Sequence, residues 1–118
     1  MDKKSEDAAC EACSDTAEAA GEDQITNFTT SCSEWVIKTE LGIIFLTRTY
    51  LFPDFVQASA FAEKVSTVAE QANHHPRIII EYGKTRVDWW SHKIANIHPL
   101  DLKLAADTDK LFKTNEAK

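Results

Sequence analysis

Two adjacent imidazoles, His74 and His75, stand before Pro76, and a third, His92, stands after Ser91. An imidazole changes charge near neutral pH, so a group of them can offer a proton in one microstate and take one in another. That suits an elimination, in which a departing hydroxyl is protonated while a proton is withdrawn elsewhere. Asp101 lies nine residues beyond His92 and could orient or charge-balance an imidazole. It also lies three residues after His98, where it fits equally well as the capping carboxylate of a helix that begins at Pro99. Three histidines and an aspartate are a metal-ligand set too. The adjacent pair lacks the i, i+4 spacing and the HExxH framing that aim two rings at one ion, so metal-free acid-base chemistry is the preferred reading. A histidine beside a proline is ordinarily a turn residue; only convergence of several lifts these above that.

Convergence depends on the elements between them. Phe55, Ala58, Phe61, Val65, Val68 and Ala72 recur at spacings of three and four, which predicts a helix over 53–72 with Pro53 and Asp54 in its first turn. Asn73 is a fitting left-handed terminator, and Pro76 biases His75 toward extended backbone. Ile78 to Tyr82 and Thr85 to Ser91 read as two strands closed by a turn at Gly83-Lys84. Counting outward from that turn brings His75 and His92 to one open end of the hairpin. Trp89 and Trp90 point to opposite faces of their strand, so at most one of them lines a pocket. His98 reads as a cap or rim residue of a last helix that buries Leu100, Leu104, Ala105, Thr108 and Leu111 and frays after Phe112.

Upstream, Trp35, Ile37 and Thr39 alternate with Val36 and Lys38 as in a half-buried strand, Glu40-Leu41-Gly42 can turn the chain, and Ile43 to Phe52 reads as a longer strand. A short helix over 22–30 would use Ile25 and Phe28. The order αββαββα is an α+β fold, a four-stranded antiparallel sheet with helices packed on one face.

The formal charge of -6 is concentrated at one end. Residues 1–23 hold eight acids against Lys3 and Lys4, whereas acids and bases balance from Gln24 onward. A balanced body lacks the basic footprint of a nucleic-acid binder. Residues 1–20, rich in Ala, Glu, Asp and Ser, read as a flexible acidic tail, with 21–118 as a single domain. Cys10 and Cys13 form a CxxC without a second pair or a leading strand, so ordinary reduced thiols are expected there. With no apolar run of ~20 residues and no hydrophobic leader, a cytoplasmic protein free of membrane is expected. A 118-residue chain is small enough that self-association would help it.

These residues resemble one family, the pterin-4a-carbinolamine dehydratases. Its pattern of an acidic residue, His-His-Pro, a later aromatic, a histidine and an aspartate is met by Glu70, His74-His75-Pro76, Tyr82, His92 and Asp101. Trp35 and Phe52-Pro53-Asp54-Phe55 are similar to the family's upstream half, and Trp89-Trp90-Ser91-His92 with the early Cys-Glu-Ala-Cys resembles bacterial members. The resemblance implies loss of water from 4a-hydroxytetrahydropterin to give quinonoid dihydropterin, and with it a functional link to phenylalanine hydroxylase. It implies no metal, no organic cofactor, and assembly as a homodimer or homotetramer. His74 and His92 would be the general acid and base, His75 a mainly substrate-binding group, and Asp101 the residue that holds the histidines. Glu70, Pro76, Trp90 and Ser91 would complete the pterin site. A non-catalytic protein-binding role on the same fold is the alternative. Asn96-Ile97-His98 departs from the family's Gly-Leu-Thr turn, with Asn96 expected to take the left-handed position.

Overall fold

The computed structural model describes residues 17–116. The cysteine pair at Cys10 and Cys13, and most of the acidic tail, lie outside them. The elements run α1 (Glu22–Ser31), β1 (Val36–Glu40), β2 (Ile43–Leu51), α2 (Phe55–Ala72), β3 (Arg77–Glu81), β4 (Lys84–Trp89) and α3 (Pro99–Glu116). All strand pairs are antiparallel, and the sheet order is β1-β2-β4-β3. This is the expected α+β order, and its consequence is spatial. The two hairpins join through β2 and β4, so the inner strand β4 runs out between the ends of α2 and α3.

Strand alternation sends Leu46, Tyr50, Val87 and Trp89 to the face on which α2 and α3 pack. Phe61, Val65 and Ala69 of α2 and Leu104 and Ala105 of α3 close the core from the other side. No described helix is long and apolar enough to cross a membrane.

Several expected boundaries move for physical reasons. Asp54 is the N-cap of α2 and accepts from the Gln57 amide at 2.9 Å, so Pro53 precedes the helix. Phe55 is half exposed instead of belonging to the buried stripe. All five β1 residues are exposed, because the helices cover β2, β3 and β4 and leave this edge strand uncovered; only Trp35, just before it, is buried. α3 extends to Glu116, beyond the expected fraying point.

The β1–β2 turn is a two-residue loop with positive φ at both Leu41 (51°) and Gly42 (78°). Such a turn favours Asn-Gly. Leu41 is also 100% exposed, so its side chain contributes nothing to offset the left-handed backbone. Leu41→Asn should therefore stabilise the fold by about 0.5–1 kcal/mol, read as a higher midpoint in urea at unchanged slope.

Away from the site, Asp109 of α3 accepts from the Trp35 indole at 3.1 Å, the Arg48 guanidinium at 2.8 Å and the Tyr50 hydroxyl at 2.5 Å. Burial, and then the bond to Asp109, push the Tyr50 hydroxyl well above its ordinary range. One carboxylate thus ties α3 to β2 and to the start of β1.

Candidate active site

α2 stops where its sequence allows a left-handed residue. Asn73 has φ 54° and ψ 40°, and its amide bonds back to Ala69 and Glu70. The His74 amide donates to the Ala69 carbonyl at 3.1 Å, which completes the helix end. The reversal turns the next side chain inward, and His74 is only 3% exposed. His75 remains outside and Pro76 leads into β3. The His75 ring bonds the Glu70 carboxylate at 3.0 Å, but with both side chains more than half exposed the pair contributes little energy.

From the other side, α3 begins with a reciprocal cap. The Leu100 amide donates to His98 Nδ1 at 3.0 Å, while the His98 amide donates to Asp101 Oδ2 at 2.9 Å. His98 is a cap as expected, but a buried one rather than a rim residue. Asp101 is fully buried and joins both readings of the sequence. Its Oδ2 also accepts from the Ser91 hydroxyl at 2.8 Å, and its Oδ1 lies 2.6 Å from His74 Nε2. With Oδ2 taking two donors, Asp101 acts as an acceptor throughout, so Nε2 of His74 carries the shared proton and Nδ1 is the nitrogen left to take or give a second one. Trp89 fixes the plane of that ring. It stacks on His74 at 5.9 Å and 10° while its own indole N–H donates to Thr108.

Ser91 is pinned by Asn96: its amide donates to the Asn96 carbonyl at 2.9 Å. The intervening loop carries His92 and Lys93. The left-handed residue of this loop is Ala95 (φ 53°) rather than Asn96, whose side chain instead accepts from the Ile97 amide at 2.7 Å. The Ala95 carbonyl accepts from Ile44, which anchors the loop to β2.

The hairpin turn centres on Tyr82-Gly83, one residue earlier than expected, with Glu81 paired to Lys84. Continued past the strand ends, that register sets Trp90, not His92, across from His75. His92 still arrives beside the other imidazoles because the loop after β4 bends back. His74, His75, His92 and Lys93 line a cleft of about 220 Å³. Partial desolvation in the cleft, with the His74 imidazole second, pulls His92 below the ordinary imidazole range; Asp101 pulls it the other way.

Of the expected site residues, His74, His75 and His92 line the cleft, with Asp101 directly behind His74. Glu70 flanks it through His75, and Pro76 is half buried beside it. Ser91 is fully buried and touches Asp101, and Trp90 lies against Phe45 on the helix-free face of the sheet. Lys93 was not anticipated; its place directly after His92, in a body whose charges balance, was the available signal. Trp89 was ambiguous until the face of its strand was settled. No group of three His, Cys, Asp or Glu among the described residues is arranged to hold a metal ion.

The pterin 4 alpha carbinolamine dehydratase family model matches residues 18–111. A protein of Nitrosococcus oceani, provisionally named a pterin-4-alpha-carbinolamine dehydratase, is 41% identical over 88% of this chain and 92% of its own length. One of Chlorobium luteolum, named in the same way, is 40% identical over 87% and 90%. The fold is similar to a crystal structure from Brucella melitensis described as a transcriptional coactivator/pterin dehydratase, with TM-score 0.69 at 23% identity over 80% of this chain and 98% of that one. It is also similar to a pterin dehydratase-like protein described as a RuBisCO assembly factor in the alpha-carboxysome, with TM-score 0.55 at 18% identity over 66% and 88%. At those identities the two structures speak for the fold alone. Matched by the family model over most of its length and by relatives of about 40% identity, the chain belongs to the pterin 4 alpha carbinolamine dehydratase family.

Proposed function

We propose that the protein dehydrates 4a-hydroxytetrahydropterin to quinonoid dihydropterin, and so returns to use the pterin spent by an aromatic amino acid hydroxylase such as phenylalanine hydroxylase. The observation that carries the reading is a cleft lined by three imidazoles, one of them tied to a buried carboxylate. In the reaction the C4a–O bond breaks, the hydroxyl takes a proton and leaves as water, and the N5 proton is removed as the C4a–N5 double bond forms. His92, whose partial desolvation favours the uncharged ring, is the base at N5. His74, taking a second proton on Nδ1 with the Asp101 carboxylate balancing the charge, supplies that proton to the hydroxyl. His75, Glu70 and Pro76 bind the pterin at the mouth of the cleft, whereas Trp90 and Ser91 serve it from behind. The same reading carries assembly into dimers or tetramers, for which the uncovered edge of β1 offers unpaired backbone groups. A purely protein-binding role would not call for this set of imidazoles.

Purified protein should accelerate formation of quinonoid dihydropterin from freshly generated 4a-hydroxypterin, followed by absorbance. His74→Ala should remove about 100-fold of that gain. Because the base works as neutral imidazole and its proton affinity is lowered, activity should persist below the ordinary imidazole value of about 6.5 and fall only at more acidic pH. Absence of acceleration by the wild-type protein would sink the reading.

A further inference from the structure

Three imidazoles share the cleft, but they are not held alike. His74 is fixed by Asp101 and Trp89, and His75 touches Glu70. His92 sits on an exposed loop, yet a proton-transfer group is useful only if held to within roughly 0.5 Å of its working position. Besides a hydrogen bond with the His75 backbone, its support comes from the helix-free face of the sheet. The Trp90 ring lies 4.7 Å from the His92 ring. Trp90 in turn meets Phe45 at 5.6 Å and the Arg77 guanidinium at 5.0 Å. Arg77 also lies over Phe45 at 5.1 Å, and its Nε donates to Asp88 at 2.8 Å.

Asp88 is a fully buried carboxylate on a sheet face that no helix covers. Its other oxygen accepts from Arg86 Nε at 3.0 Å, and Arg86 also reaches the Thr47 hydroxyl at 3.2 Å. A more distant contact at 3.9 Å joins Arg77 to the exposed Glu40. Burial of a carboxylate is costly unless it is paired. Here the pairing holds Arg77 over the tilted Trp90–Phe45 pair.

We propose that Arg77 and Trp90 are positioning residues for His92: Trp90 is the wall that sets its ring, and Arg77 acts through that wall. The proposal rests on the dehydratase reading for what His92 does, but not for where it is held. The mechanism has two parts. The adjacent indole, tilted by 31° to the imidazole, shields one side of it from water. Arg77 adds a permanent cation against the same π system, and a second cation on His92 would have to share it. Both parts favour the neutral ring. The other groups facing His92 are His74 and His75 from the α2–β3 link, Asp101 from α3, and Lys93 from its own loop.

The test reads His92 directly. Its ring titration would be followed by proton–carbon NMR in Trp90→Phe and in Arg77→Met/Asp88→Asn, the second change preventing a stranded carboxylate, with Asp88→Asn as the reference. The His92 pKa should rise by about 0.5 in each variant. Where turnover is measurable, kcat should fall about five- to fifty-fold with KM nearly constant. Near-wild-type far-UV circular dichroism would establish that each variant is folded. The Arg77 variant, which does not touch the cleft, provides the measurement if Trp90→Phe does not fold. His92 titrating as in wild type in either folded variant overturns the proposal. Because titration needs no substrate, that failure is distinct from absence of dehydratase activity.

Discussion

Asp101→Asn is expected to lower turnover by about 100- to 10,000-fold while leaving the fold nearly intact. The two carboxylate oxygens do separate work. Oδ2 accepts from the Ser91 hydroxyl and the His98 amide, which a carboxamide oxygen can still do. Oδ1 accepts from His74 Nε2 at 2.6 Å, and an amide NH2 placed there can only donate. His74 must then turn its acceptor nitrogen toward position 101 and carry its proton on Nδ1. The ring stays stacked on Trp89, but with the opposite tautomer and no anion behind it. Nitrogen NMR of the ring should show Nε2 protonated in wild type and Nδ1 protonated in the variant. Asp101→Ala provides the contrast. It strands three buried donors and removes half of the α3 cap, so about 3 kcal/mol of stability should go as well. Equal rates for Asp101→Asn and wild type, at unchanged midpoint, would show that the His74–Asp101 bond has no part in the chemistry.

The legible part of this site was local, and the hidden part depended on faces. Asn73, Pro76 and Pro99 mark element ends by backbone rules that need no tertiary information, so the handover from α2 to β3 and the start of α3 could be placed. Asp101 fitted two roles on sequence spacing, and the structure shows why the choice was unnecessary: one oxygen caps α3 and the other meets His74. The hairpin centre could not be fixed, since Gly83-Lys84 and Tyr82-Gly83 are both sound turns and a shift of one residue changes which side chain lies across from His75. Trp89 and Trp90 show the same limit. Alternation required opposite faces, but only the packing of α2 and α3 decides that Trp89 stacks inside on His74 while Trp90 faces outward to Phe45. β1 carried an apolar pattern without burial, because a strand pattern does not reveal whether a helix reaches that edge.

Asp109→Ala should be the most destabilising single change outside the apolar core, at about 3–5 kcal/mol, or roughly 10–20 °C in melting temperature. The carboxylate meets three donors, of which the Arg48 guanidinium is the critical one. Arg48 lies over the Tyr50 ring at 4.4 Å and near Phe112 at 5.6 Å, and its Nε is buried without a partner among the described residues. Removing Asp109 would leave a largely buried cation beside a buried phenol and an indole N–H, none with an acceptor in place. If stranded charge dominates the loss, Arg48→Met added to Asp109→Ala should restore a substantial part of it, because the methionine stem keeps the contact with Tyr50 and Phe112 and the cation is gone. Asp109→Asn keeps one acceptor and should cost about 1–2 kcal/mol. Additive losses in the double variant would instead assign the penalty to Trp35 and Tyr50. Asp109 also lies on the helix that carries Asp101 in its first turn, eight residues earlier. Released at Asp109, that helix is still held at its N-terminus by the His98 cap and at mid-length by the Trp89–Thr108 bond, so Asp101 stays in place. Turnover of Asp109→Ala well below its melting temperature should therefore fall only a few-fold, against the much larger loss expected for Asp101→Asn, which separates holding the helix from holding the histidine.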